Sequence, residues 1–321
     1  IKAQQARESF LQAARFVGRD DELNTLTVAL MQTMNGNGST WLIGGESGVG
    51  KSRLMSELRT YALVHGARTM HAQAIAEGGV PYKLWRDILP NLILMNDLSD
   101  EEATILSAIL PNIDVLIGRN VSQEPIDTAV LQMRLPLLLS KLLVTASKIA
   151  PIVILLEDLQ WATESLEILQ SILPIVSQNR ILIVANYRSD EVPHLPETLN
   201  TMQNMMLERL SNDDINRLSG AMLGEVGNSR AVVELIQRES EGNAFFIVEV
   251  VRALAQQAGQ LDDIGRVTLP AQIFSGGIQT IIQRRLDGLP AWTIHPIQIS
   301  AVAGRQINSA VLKYILPDMD A

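Results

Sequence analysis

Eight consecutive residues, Gly45-Glu46-Ser47-Gly48-Val49-Gly50-Lys51-Ser52, have the types and spacing of a cradle for phosphate. The glycines admit backbone angles closed to other residues, so successive N–H groups can converge on one anion. Lys51 has the reach for the β- and γ-phosphates of a nucleoside triphosphate, and the Ser52 hydroxyl can ligate Mg²⁺. The flanks fit the same reading. Trp41-Leu42-Ile43 reads as a strand, and Arg53-Leu54-Met55-Ser56-Glu57-Leu58 reads as the start of an amphipathic helix. A helix N-terminus behind the loop adds a partial positive charge.

Two acids and one cation belong with this loop. Glu157 and Asp158 close the apolar run Ile152–Leu156. Acids at the end of a buried strand are costly unless they face a cation or a cleft. Open α/β sheets bind ligands off the carboxyl ends of their strands, which is the edge that carries the phosphate loop. The pair should therefore face Mg²⁺ and the γ-phosphate. We expect Glu157 on the metal and Asp158 on the attacking water, although sequence leaves the reverse open. Arg188 lies just past the next apolar strand, Ile181–Ala185. There it could reach the γ-phosphate and stabilise developing charge; the other reading is a surface arginine paired with Asp190. Trp85 and Trp161 read as packing residues.

The elements that must position these groups alternate along the chain. Asp20 or Asp21 can start a helix running through Leu30, and Gly36-Asn37-Gly38 is a turn. A strand is expected around 69–74, a helix after Pro81, and a capping box at Ser99-Asp100-Glu101-Glu102 opening a helix to Leu110. Asp127 to Ser147 is a long leucine-rich helix, and Ser165 to Ser177 is another. The runs 152–156 and 181–185 are apolar throughout, as strands buried on both faces of a parallel sheet are. The fold class is α/β with a doubly wound parallel sheet. After residue 200 the pattern changes. Met205–Leu210 reads as a last edge strand, and Ser211-Asn212-Asp213-Asp214 is another capping-box start, opening three short helices that end near Gln257. The domain reading is a lead-in over 1–14, a nucleotide-binding domain over 15–203, a helical domain over 204–258, a linker over 259–270 and a small helical unit over 271–321. In that last unit helices are expected near 277–286 and 292–302.

Composition narrows the function. With 321 residues and 47% apolar content the chain can bury a sizeable core. A net charge of -9 counts against a nonspecific nucleic-acid footprint and an anionic membrane surface. The absence of cysteine removes disulfides, thiolate metal sites and a cysteine nucleophile. His65, His71, His194 and His295 show no metal-ligand spacing. No apolar run looks long enough for a membrane span and no signal peptide is visible, so a cytoplasmic protein is expected. The chain opens on Ile1, which points to a piece excised from something longer.

With these residues in place, the chain resembles the STAND ATPases, signal-transduction ATPases with numerous domains, and within them the bacterial AAA-like branch of multidomain regulators. Phe16-Val17-Gly18-Arg19 resembles the family's N-terminal signature, which borders the adenine. Gly45–Ser52 matches its Walker A motif, and Leu155–Ala162 resembles its Walker B segment. Asn186-Tyr187-Arg188 resembles the segment carrying its sensor arginine, and Glu241-Gly242-Asn243-Ala244-Phe245-Phe246 its helical-domain GNPFF motif, which lies against the nucleotide. The resemblance implies a nucleotide-binding domain, a helical domain and a winged-helix-like domain, incomplete here. It also implies ATP/ADP with Mg²⁺ held by Ser52, Glu157 and Asp158, and nucleotide contacts from Phe16 to Arg19, from Gly45 through Arg53, and from Gly242, Asn243 and Ala244. The implied role is a slow ATPase switch, ADP-closed and ATP-open. Its partners would be the effector and sensor modules of the full-length protein, with a homo-oligomer in the ATP state. A nucleotide-stabilised scaffold without turnover is the alternative. A DNA-remodelling AAA+ ATPase is a third reading, opposed by the acidic balance and by the lack of a recognisable second-sensor arginine motif. Ala244 departs from the motif's proline, yet Asn243 can still cap the helix that follows. Thr163 stands where the family often has an acid.

Overall fold

The apolar runs of the sequence become a single parallel sheet. The computed structural model describes residues 16–75, 81–122, 126–258, 283, 286–287 and 289–303. In it β1 (Ser39–Gly44), β2 (Arg68–Gln73), β3 (Ile152–Glu157), β4 (Ile181–Asn186) and β5 (Gln203–Met206) lie in the order β2-β3-β4-β1-β5. All four pairings are parallel, so every strand ends at the same edge. The expected lead-in over 1–14, the linker over 259–270 and the helix near 277–286 lie outside or almost wholly outside the described residues.

Strand alternation explains why β3 and β4 are apolar at every position. Ile152, Ile154 and Leu156 of β3, with Ile181, Ile183 and Ala185 of β4, join a core on one face of the sheet. Val153, Leu155, Leu182 and Val184 join a second core on the other. Helices cover both faces, so neither set of side chains meets water. On the second face lie α1 (Asp20–Met34) and α2 (Lys51–Val64), through Leu26, Leu30, Leu54 and Leu58. On the first lie α3 (Lys83–Ile93), α4 (Asp100–Ser107), α5 (Ile113–Ile117), α6 (Thr128–Ile149) and α7 (Thr163–Val176). The short α8 (Leu195–Thr198) follows β4. Glu157 continues the odd-numbered face of β3, which is the face that α2 covers.

As expected, α1 does start at Asp20, with Arg19 in the N-cap position making no side-chain cap bond, and the acids sit in the first turn, where they favour the helix dipole. Other local expectations shift. The last strand spans 203–206 rather than 205–210. Past Met206 the chain still donates from Leu207 N–H to Gly44 O at 2.8 Å, then leaves the sheet. By length and composition the 22-residue α6 is long and apolar enough to cross a membrane, contrary to the expectation that no run is so long. In this fold Leu131, Leu135, Leu139 and Leu143 of α6 are instead core residues, and Arg134 and Lys141 form ion pairs with Glu101 and Glu102. The capping box at Ser99 is present, with the Glu102 carboxylate accepting from Ser99 N–H and Ser99 Oγ accepting from Glu102 N–H.

Contacts divide the chain into two compact units, 1–248 and 249–321. The first ends with α9 (Asn212–Leu223), α10 (Arg230–Ser240) and the start of α11 (Ala244–Ala258). In the second, α12 (Ala291–Ala303) is described.

Candidate functional site

The loop between β1 and α2 is held from outside by its carbonyls. Asn243 Nδ2 donates to Ser47 O at 2.9 Å, Phe245 N–H to Gly48 O at 3.0 Å, and the Arg19 guanidinium to Val49 O at 3.3 Å. In a planar trans peptide the next N–H points the opposite way from the carbonyl. The N–H groups of Gly48 and Gly50 therefore turn away from these partners, as an anion nest requires, while Val49 N–H donates at 3.4 Å to Glu46 O of the same loop. The backbone needs glycine to do this, with φ of 152° at Gly45, 81° at Gly48 and 112° at Gly50.

Lys51 opens α2 and folds back over the loop, its Nζ donating to Gly45 O at 2.7 Å and Glu46 O at 2.8 Å. It is buried. Burial pushes its pKa below the usual lysine value, against the pull of Asp190 and Asp158. Both of its acceptors are neutral carbonyls, and phosphate oxygens would give it charge-assisted bonds instead.

Ser52, one residue on, reaches β3: its Oγ donates to Glu157 Oε2. The Asn186 side-chain amide also meets Oε2, at 3.4 Å, while His71 Nε2 meets Oε1 at 2.7 Å. Burial alone would raise the Glu157 pKa, but hydrogen bonds from His71 and Ser52 hold it below the ordinary glutamate value. Glu157 is thus poised as an anion beside a hydroxyl, which is the donor set of a hard divalent cation.

Asp158 adopts a left-handed conformation, with φ of 58°. Its N–H donates to Asn186 Oδ1 at 2.9 Å. Its carboxylate accepts from Gln73 Nε2 at 2.5 Å and Gln160 Nε2 at 3.2 Å, and lies 3.8 Å from Arg188 Nε. Arg188 follows β4, as its position predicts. Its guanidinium pairs with Glu191 at 2.5 Å, not with Asp190, and lies 4.9 Å over the Trp161 ring. Trp161 is therefore a platform for that arginine, whereas Trp85 is fully buried and donates to Ser165 O at 3.1 Å.

The helical segment meets the loop directly. Asn243 Oδ1 caps α11 by accepting from Phe245 N–H at 3.1 Å, so Ala244 in the first turn leaves the helix start intact. Gly242 has φ of 84°, and its carbonyl accepts from Leu210 N–H at 2.7 Å. Arg209 joins Glu46 of the loop, at 2.9 Å, to Glu241, at 2.6 Å. Near the N-terminus, Gly18 has φ of 75° and packs against Asp214 of α9, where a Cβ would meet Asp214 Cγ at 2.7 Å. Phe16 and Val17 line a cavity of about 380 Å³ with Asp20, Arg217, Gly220 and Asn228.

The fold thus gathers the loop, Lys51, Ser52, Glu157, Asp158 and Arg188 at one sheet edge. Arg53 points elsewhere, pairing with Glu57 at 2.7 Å along α2. Sequence reasoning missed His71, Gln73, Gln160 and Arg209. His71 and Gln73 alternate with apolar residues on an edge strand, where polar side chains carry no special signal.

Residues 15–184 match the AAA ATPase domain family, more than half of the chain. An uncharacterized protein of Rhizobium meliloti (strain 1021) is 22% identical over 94% of this chain, which spans only 31% of that protein's length. Among solved structures, Drosophila ORC bound to DNA superposes with a TM-score of 0.50 at 16% identity, over 83% of this chain and 65% of that one. Cdc6p from Pyrobaculum aerophilum gives 0.47 at 15% identity, over 79% and 67%. The likeness to the Drosophila structure concerns the fold alone.

Proposed function

Since the chain belongs to the AAA ATPase domain family, we propose that it binds and hydrolyses ATP as a regulatory switch within a larger signal-transduction protein of the STAND type. The observation that carries this reading is the contact between Ser52 of the loop and Glu157 of β3, beside a buried Lys51. Phosphates would lie against the amides of Gly48 and Gly50 and against Lys51, and the base in the cavity behind Phe16 and Val17. The chemistry of Ser52 and Glu157, with Asp158 close by, fits Mg²⁺. When bound, the cation would neutralise charge on the β- and γ-phosphates.

Asp158 would take the proton of the attacking water as the bond from the γ-phosphorus to the ADP oxygen breaks, and Arg188 would meet the developing charge. Contacts of Asn243 and Phe245 with the loop support coupling between nucleotide state and the helical segment, closed with ADP and open with ATP. The Rhizobium relative's greater length fits a longer protein. Within the STAND reading, the partners would be effector and sensor modules of that protein, in the cytoplasm, with a homo-oligomer formed when ATP is bound. The net charge of -9 weighs against nucleic acid as a partner of this portion.

One observation favours a slower alternative, a nucleotide-stabilised scaffold: the Asp158 carboxylate is engaged by Gln73 and Gln160. Phosphate release from purified protein separates the two. Lys51→Ala should abolish nucleotide binding, and Asp158→Asn should retain binding while turnover falls at least about a hundredfold. ATP binding by Lys51→Ala equal to that of the parent would refute the site, and parent turnover no faster than that of Asp158→Asn would leave the scaffold.

A further inference from the structure

The two oxygens of Glu157 are divided between elements. Oε2 faces Ser52 and Asn186, on the side of the phosphate loop. Oε1 is held at 2.7 Å by His71 Nε2, on the side of β2. Register makes this possible: His71 stands opposite Leu155, two residues before Glu157, so its ring lies on the same sheet face and reaches along it. Because an ionised carboxylate only accepts, the ring nitrogen at this bond carries the proton.

We infer that His71 is a positioning residue for the metal: by holding Oε1, it fixes the rotation of the Glu157 carboxylate and presents Oε2 beside the Ser52 hydroxyl. The inference rests on the nucleotide reading of this site and deepens it. Without the His71 bond, Oε1 keeps no partner from β2, and the carboxylate is free to turn on its last torsion, which is broad and roughly two-fold. Ser52 alone donates closely to Oε2, while Asn186 at 3.4 Å also serves Met55 Sδ at 3.0 Å and receives the Asp158 N–H at 2.9 Å. Nothing among these partners replaces the grip on Oε1. Groups that orient metal-binding carboxylates typically contribute about 10–100-fold to metal affinity. The phosphate-binding amides and Lys51 are untouched by such a change, so affinity for nucleotide without metal should stay as it is.

The test uses the 321-residue chain, a fluorescent ADP analogue, and Mn²⁺ followed by electron paramagnetic resonance. In EDTA, His71→Ala should bind the analogue as the parent does. With the analogue bound, its Mn²⁺ affinity should fall about 10–100-fold. His71→Gln, which restores an N–H donor, should recover most of the loss. His71→Phe, which keeps a ring and lacks the donor, should behave as His71→Ala does and controls for packing. If His71→Ala and His71→Phe hold Mn²⁺ as tightly as the parent, the positioning role is wrong while the nucleotide site stands. If the parent binds the analogue neither in EDTA nor with Mn²⁺, the underlying reading falls and this inference with it.

Discussion

Glycine, lysine and asparagine set the phosphate loop at the scale of single residues. Gly48 is the tightest point. Its φ is 81°, and a Cβ there would meet Asn243 Oδ1 at 2.8 Å and Phe245 Cβ at 2.9 Å. Asn243 cannot step aside cheaply, because the same oxygen caps α11 and its amide holds Ser47 O. Gly48→Ala should therefore lower stability in urea unfolding by about 1–3 kcal/mol, the cost of a strained backbone position. A loss below about 0.5 kcal/mol would mean that the loop and α11 are less tightly fitted than these contacts imply.

A second prediction belongs to the scale of the element, and concerns α4. Its start is fixed by the Ser99–Glu102 capping box, and Glu102 also takes an ion pair from Lys141 of α6. Burial would raise the Glu102 pKa, but hydrogen bonds from Lys141 and from Ser99 N–H outweigh it and leave it below the ordinary value of 4.5. A carboxyl with a lowered native pKa releases its proton more readily folded than unfolded, so stability rises with pH. Its contribution is fully present above about 4.5 and is lost as pH falls through the lower native value. Glu102→Gln should cost about 1 kcal/mol at neutral pH, and the gap to the parent should close in acid. Urea midpoints measured from pH 7 down to pH 3 check this, and a gap that persists unchanged at the acid end would contradict it.

Ligand linkage is the prediction proper to the whole molecule. A nucleotide that binds the assembled sheet edge, and not the unfolded chain, stabilises by mass action, by about 2.7 kcal/mol at a hundredfold excess over its dissociation constant. The edge exists only when β1, β3 and β4 are paired, since Lys51, Glu157 and Arg188 follow or end different strands. ADP or ATP should therefore raise the melting temperature of the parent and leave that of Lys51→Ala unmoved. An equal rise in both would place the nucleotide elsewhere.

Legibility followed the range of the interaction. The loop Gly45–Ser52, the acids Glu157 and Asp158, the uninterrupted apolar strands and the capping boxes at Ser99 and Ser211 were readable because each is a local pattern fixed by backbone angles, periodicity or the orphan N–H groups of a helix start. Both ends of β5 were misplaced by two or more residues, because the ladder bonds to β1 decide them and propensity does not. The grip of His71 on Glu157, the hold of Gln73 and Gln160 on Asp158, the Arg188–Trp161 stack and the Arg209 bridge were settled only by tertiary structure. Except for the Gln160 bond, these contacts join residues from 27 (Trp161 to Arg188) to 163 (Glu46 to Arg209) positions apart in the chain. Which polar side chain meets which acid depends on strand order and register, and those are fixed by burying both faces of the sheet at once, a condition that no local stretch of sequence carries.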